Sequence, residues 1–253
     1  MGSGVPETWE RRRDVGPGER DAQRLDVVGR NTDRVDDRTD NTGDNAAAIG
    51  LSLEISFGVD RATMVGVVLE PGRRAVGLVE SELRVPKATP NKPRSSRHWE
   101  VRGHGLWADH VVEQPLVHWS CGLEAFALAV DEPDELVRTG IGHRVPLGWE
   151  LEFEAGGEAI ELGAASSSGR AVEGFRQMGR VHGIVMDERG EWPFEGLGLR
   201  TRWWGATSPS FVGASPPTWE ETPAPGAALD LVVDGVRWNY RLDDGNLVVR
   251  NDA

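Results

Sequence analysis

Apolar and polar positions alternate with a period of two along most of the chain after residue 50. Leu51-Ser52-Leu53-Glu54-Ile55-Ser56-Phe57 reads as a half-buried strand, and Met64–Leu69 and Ala75–Val85 follow it. Glu70-Pro71-Gly72-Arg73 between these two has the composition of a turn. Val85–Arg97 is rich in Pro, Lys and Arg and reads as a loop, after which Trp99–Trp107 and Val117–Val130 are predicted strands. Asp131–Arg138 is predicted as one short helical turn, with Asp131 placed to cap it and Pro133 in its first turn. Alternation resumes at Val145–Glu154, where Val145, Leu147, Trp149, Leu151 and Phe153 share a face. Glu188-Arg189-Gly190 joins the strand Gly179–Asp187 to Glu191–Leu199. Asp234-Gly235 joins Leu229–Val233 to Val236–Leu242, and Asp244-Gly245 leads into Leu247–Val249. Many short strands with almost no helix predict an all-β, antiparallel barrel or sandwich. The expected organisation is one β domain over residues 49–253, or two β units sharing a core and divided near residues 155–170.

Residues 1–48 break the pattern. They carry eight Arg against eleven acidic residues, and 31–40 show no apolar face at either period. A segment of that kind is expected to be disordered, because it buries too little surface to offset its ordering entropy. Transient helix is expected only around residues 18–28.

Charge narrows the partners. The net charge is −13, which repels phosphate backbones and anionic head groups and argues against nucleic acid or a membrane surface. No apolar run reaches the ~18 residues that span a bilayer, so no membrane insertion is expected. No secretory leader is visible and Cys121 is the single cysteine, which fits the cytoplasm and makes Cys121 a small core residue. No dinucleotide or phosphate-loop fingerprint is present, so no cofactor is implied. The ten Trp against one Tyr either fill a wide β core or line an apolar cavity.

The densest supply of acid and base groups is Asp109, His110, Glu113 and His118, set among Trp107 and Trp119. Asp109 and Glu113 share one face of an extended segment, while His110 shares the other with Ala108 and Val112. These residues are candidates for acid/base catalysis, for ligand binding, or for hydrogen bonds at a strand bend. His104, His110 and His118 do not form a metal triad by spacing, since Pro115 and the Gly103–Gly105 kink interrupt the strand. Glu124 lies on a mostly apolar strand, with Arg200 as its expected cationic partner. Ser166-Ser167-Ser168-Gly169 is a flexible loop without the context of a hydrolase elbow.

Four blocks then carry a resemblance. Gly105-Leu106-Trp107-Ala108-Asp109-His110, Glu113-x-Pro115-Leu116-x-His118-Trp119, Gly122–Leu128 and Asp131-x-Pro133 resemble the bacterial proteins related to AttH and the hydroxyneurosporene synthases, or carotenoid hydratases. Arg144–Leu151 and Gly179–Gly183 extend the likeness. The resemblance implies lipocalin-like β units and a lipophilic ligand such as a polyene, terpenoid or steroid-like molecule. Cofactor-free hydration, cyclisation or isomerisation would follow, with Asp109, His110, Glu113 and His118 as catalytic groups. Trp107, Trp119, Glu124, Arg200 and Trp204 would line the ligand. The alternative is a non-catalytic carrier. One departure stands out: relatives read Gly-Gln-Arg-Asp-His-Ser-Trp-Gly where this chain has Gly198-Leu199-Arg200-Thr201-Arg202-Trp203-Trp204-Gly205. Thr201 and Arg202 replace the Asp and His.

Overall fold

The structure, a computed structural model, describes residues 5–11, 13, 15–33, 48–85, 97–162, 172–205, 227–233, 235–243 and 245–252. A 3-10 turn, Glu7–Glu10, comes first. The strands are β1 (Arg20–Asn31), β2 (Ile49–Phe57), β3 (Arg61–Leu69), β4 (Ala75–Arg84), β5 (His98–Gly103), β6 (Leu106–Gln114), β7 (His118–Val130), β8 (His143–Ala155), β9 (Ile160–Glu161), β10 (Val172–Asp187), β11 (Gly190–Gly205), β12 (Ala228–Val233), β13 (Val236–Asp243) and β14 (Asn246–Asp252). A short helix, α1 (Glu135–Thr139), follows β7 and ends at Gly140, whose φ of 62° is the left-handed cap that glycine adopts freely. Most of the expected loop after Val85, residues 86–96, lies outside the described residues, as do Ser166–Gly169 and residues 34–47.

The fold is all-β. The main sheet runs β4-β3-β2-β1-β11-β10-β8-β7-β6-β5, and every pairing is antiparallel. β4 also pairs with the end of β7, through Ala75↔Val130, Val76↔Ala129 and Gly77↔Leu128, and this curls part of the sheet into a ring. Closure hides edges that would otherwise offer unpaired N–H and C=O groups. β8 and β10, on either side of residues 155–170, are direct neighbours in that sheet. Gly183 allows their close approach, because a Cβ there would lie 2.0 Å from the Glu150 carbonyl oxygen.

Directly paired residues project to the same side of a sheet. The registers therefore place Leu25, Leu53, Phe57, Trp99, Trp119, Trp149, Phe153, Val181 and Trp192 together inside the ring, where they form one buried core. The five apolar residues of β8 lie on this inner face, as their alternation predicts. A second sheet, β12-β13-β14, covers the outside of β2 and β3 and packs Leu229, Leu231, Trp238 and Tyr240 on Val65, Val67 and Leu69. β2 and β3 are thus buried on both faces, and β3 reads as a nearly continuous apolar run. Between the two layers Arg24 donates to Asp26 at 2.8 Å and to Ser52 at 3.1 Å, and its guanidinium lies 5.5 Å from the Tyr240 ring. Burial pushes the Tyr240 hydroxyl up to about 12, against the pull of Arg24.

The expectation of a disordered segment through residue 48 is corrected over residues 20–31. β1 is a central strand, paired with β11 along its whole length and with β2 from Asp21 to Gly29. Its buried charges are paired, Asp21 with Arg202 of β11 and Arg24 with Asp26 two residues on and Glu54 of β2, so the hydration that charge content normally demands is replaced by buried pairing. Residues 18–28 contain strand where transient helix is expected, because two neighbouring strands supply the backbone partners. No helix among the described residues is long and apolar enough to cross a membrane.

Candidate functional site

One end of the ring holds a buried polar layer. Alternation along β11 sends Arg200, Arg202 and Trp204 inward, and the register with β1 sets Asp21 and Gln23 beside them. Trp99 of β5, His110 of β6 and Trp119 of β7 complete the layer from the facing strands. The N-terminal 3-10 turn closes it. Glu10 is fully buried and accepts from Arg200 at 2.8 and 2.5 Å. Arg200 also donates to the Gln23 side-chain oxygen at 2.7 Å, and its guanidinium lies 4.7 Å from the Trp119 ring centroid. Arg202 pairs with Asp21, donates to the carbonyls of Ala22 and Arg11, and sits 4.5 Å from the Trp99 ring. Around the rim, Trp9 meets Trp204 edge to face at 5.0 Å, and the Trp204 indole N–H donates to Glu173.

His110 is the inward histidine of this layer and has no hydrogen-bond partner among the described residues, although both its ring nitrogens are buried. Its ring stands nearly perpendicular to Trp119 at 5.0 Å. Burial, with Arg200 adding repulsion, pulls its pKa down to about 3, so the imidazole is neutral near pH 7. The unfolded chain takes up a proton on this group below the ordinary value of 6.5, whereas the folded chain does not until about pH 3. Its stability contribution is therefore whole above pH 6.5 and declines as pH falls from 6.5 toward 3. Between pH 7.5 and pH 5 the loss should be about 2 kcal/mol. Urea unfolding of the unsubstituted chain and of His110→Leu at both pH values should differ by that amount. Equal pH dependence in the two would mean that His110 titrates normally.

The other sequence candidates divide by face. Asp109 projects to the outer face and lies 3.1 Å from His98 Nε2. Glu113 is exposed and accepts from Ser120 at 3.3 Å, and His118 pairs on the outside with Glu152 at 2.6 Å. The indole N–H of Trp107 donates to Glu100 at 3.3 Å. Asp109 and His110 thus lie on opposite sides of the sheet, as their adjacency in a strand requires. The pairing of Glu124 with Arg200 is not found: Glu124 is exposed on the outer face, and Arg200 is spent inside on Glu10. Only His110, Trp119, Arg200 and Trp204 share the interior. His104 is exposed at the β5–β6 turn, and no group of His, Cys, Asp or Glu among the described residues has metal-holding geometry. Cys121 is buried; burial raises its thiol pKa, and the thiol faces the Leu151 carbonyl at 3.6 Å. Of the two positions that depart from the family pattern, Arg202 faces in and Thr201 faces out.

Sequence reasoning missed Glu10, Asp21, Gln23, Trp99 and Arg202. For Asp21 and Gln23 the signal was weak but present: the alternation Asp21, Gln23, Leu25, Val27 along β1 is the inner-face set.

At the opposite end of the ring, the β3–β4 and β10–β11 turns frame a cleft of about 250 Å³. Val68, Val76, Ala129 and Val145 form its floor, and Glu70, Arg73, Arg74, Asp187, Glu188 and Arg189 its rim. Arg189 donates to Glu70 at 2.8 Å and lies 5.2 Å from the ring of Trp192. The chain matches no protein-family model, no curated protein and no solved structure.

Proposed function

We propose that this protein binds a lipophilic small molecule of the polyene, terpenoid or steroid-like class in its β barrel, and acts as a carrier. The observation that carries this reading is the cleft. Its valine and alanine floor belongs to the same inward face as Trp149 and Trp192, so an apolar body entering between the charged turns meets the aromatic interior. The resemblance to AttH-like proteins points the same way. The division of Asp109, Glu113 and His118 from His110 disfavours the enzyme, because an acid and a base must reach one substrate from one side.

Titration with a polyene, a sterol and a fatty alcohol should quench Trp emission saturably and shift it to the blue. Val145→Glu, which puts a charge on the floor, should weaken that response at least tenfold, since a buried unpaired charge costs several kcal/mol. Emission unchanged up to the solubility limit of all three probes would remove the reading.

A second reading is cofactor-free turnover of the bound molecule by hydration, cyclisation or isomerisation, and His110 favours it. A neutral imidazole with both nitrogens unengaged can hydrogen-bond a bound molecule or accept its proton, although a pKa of about 3 makes it a weak base. His110→Gln should then lose about 10²-fold or more in turnover, and intact turnover would exclude it.

A further inference from the structure

The N-terminal segment occupies its end of the barrel in the manner of a ligand. Glu10 reaches the buried Arg200 with both carboxylate oxygens, and Oε1 also accepts the Leu116 N–H at 2.9 Å. Leu116 is the one non-glycine residue with positive φ among those described, at 58°, a conformation that costs of order 1–3 kcal/mol and persists only where surroundings fix it. They do so here through both flanking peptide groups: Glu10 takes its N–H, and the Gln177 amide donates to its carbonyl at 2.8 Å. Val5 and Trp9 bring apolar surface to Phe175, Ala159 and Leu116. The occupant is therefore a carboxylate on an apolar body, and the receptor is a preformed cradle of Arg200, Gln23 and the Leu116 amide.

A second observation points to a ligand. Arg200 Nε, Gln23 Nε2, Trp119 Nε1 and both nitrogens of His110 are buried in this layer without a hydrogen-bond partner among the described residues. Arg200 Nε, Gln23 Nε2 and Trp119 Nε1 are donors only, so the layer carries more N–H groups than Glu10 uses. Buried donors without acceptors are costly, so a cluster of them beside Arg200 calls for an acceptor, which a bound ligand would supply.

We infer that the Arg200 cradle is a binding site for small carboxylic acids with an aromatic or alkyl body, and that Glu10 holds it closed as an internal competitor. This goes beyond the carrier reading, since it concerns the other end of the barrel and an anionic ligand. An entering acid takes the Arg200 fork, its apolar part replaces Val5 and Trp9 against Phe175, and the N-terminal turn lifts away. If the turn left alone, the Arg200 charge would be uncompensated in the interior, so departure and acid binding are coupled.

The test uses phenylbutanoate, with phenylbutanol as the neutral control, on the full chain. Glu10→Gln keeps shape but removes the competing charge, and it should bind phenylbutanoate at least about tenfold tighter than the unsubstituted chain. Phenylbutanol should not distinguish the two. Adding Arg200→Gln to Glu10→Gln should abolish the gain. On the unsubstituted chain, phenylbutanoate should speed trypsin cleavage after Arg11 and Arg13 by lifting the turn, whereas phenylbutanol should not. Equal affinity of both chains for the acid, equal binding of acid and alcohol, or a gain that survives loss of Arg200 overturns the inference. If Glu10→Gln does not fold, the trypsin experiment decides, and unchanged cleavage at millimolar phenylbutanoate overturns it equally.

Discussion

A chain lacking residues 1–33 is expected to have no cooperative thermal transition. The deletion removes β1 from between β2 and β11 and with it twelve register pairs to β11 and nine to β2. It also removes Leu25 and Val27 from the inner core and Arg24 from beneath the second sheet, all of which are at most 1% exposed. Glu10 and Asp21 leave as well, so Arg200 and Arg202 would stand buried and unpaired. Each such charge costs several kcal/mol, against a total stability of about 5–15 kcal/mol for a domain. A milder variant reads the same strand: Leu25→Ala should cost about 2–5 kcal/mol by opening a cavity in the inner core. Far-ultraviolet circular dichroism and a thermal melt check both. A truncated chain melting cooperatively within a few degrees of the full one would mean that β1 is not integral to the sheet.

Arg200→Met should be the most damaging single substitution in the polar layer. Methionine fills similar volume but strands the Glu10 carboxylate, which then keeps only the Leu116 N–H. Removing one partner of a buried pair costs about 3–5 kcal/mol. For a chain of this size that lowers Tm by roughly 6–20 °C. Glu10→Gln combined with Arg200→Met removes the charge that was stranded, and most of the loss should return. The double-mutant cycle isolates the coupling. A single-variant cost under about 1 kcal/mol would place this pair with surface ion pairs, which contribute little. Recovery in the double variant separates charge coupling from lost packing against Trp119, because packing is absent from both.

The two results would also explain why the N-terminal part misleads a reader of the sequence. High charge with few apolar residues implies disorder only if the charges must stay hydrated. In β1 they need not, because Asp21 meets Arg202 inside the barrel and Arg24 meets Asp26, Ser52 and Glu54 between the sheets. Glu10 and Arg200 are separated by 190 positions. No local window contains Glu10 with Arg200 or Asp21 with Arg202, so each looks like a solvated charge until the strands are brought together.

Local signals served well wherever a residue's neighbours decide its state. The alternation of β8 identified its buried face, Asp234-Gly235 marked the hairpin between β12 and β13, and the adjacency of Asp109 and His110 set them on opposite sides. Those inferences rest on the two-residue period of an extended chain, which every strand carries with it. Which face is inner, and what meets there, is a property of the register between strands and of ring closure. Closure brought Arg200 to Glu10 rather than to Glu124, placed His110 among aromatic rings without a hydrogen-bond partner, and left Asp109, Glu113 and His118 outside. By itself the sequence determined an all-β chain and the two sides of its strands. Only the tertiary structure decided that a charged N-terminal segment is a central strand and a plug, because the energy that orders it comes from partners distant in the chain.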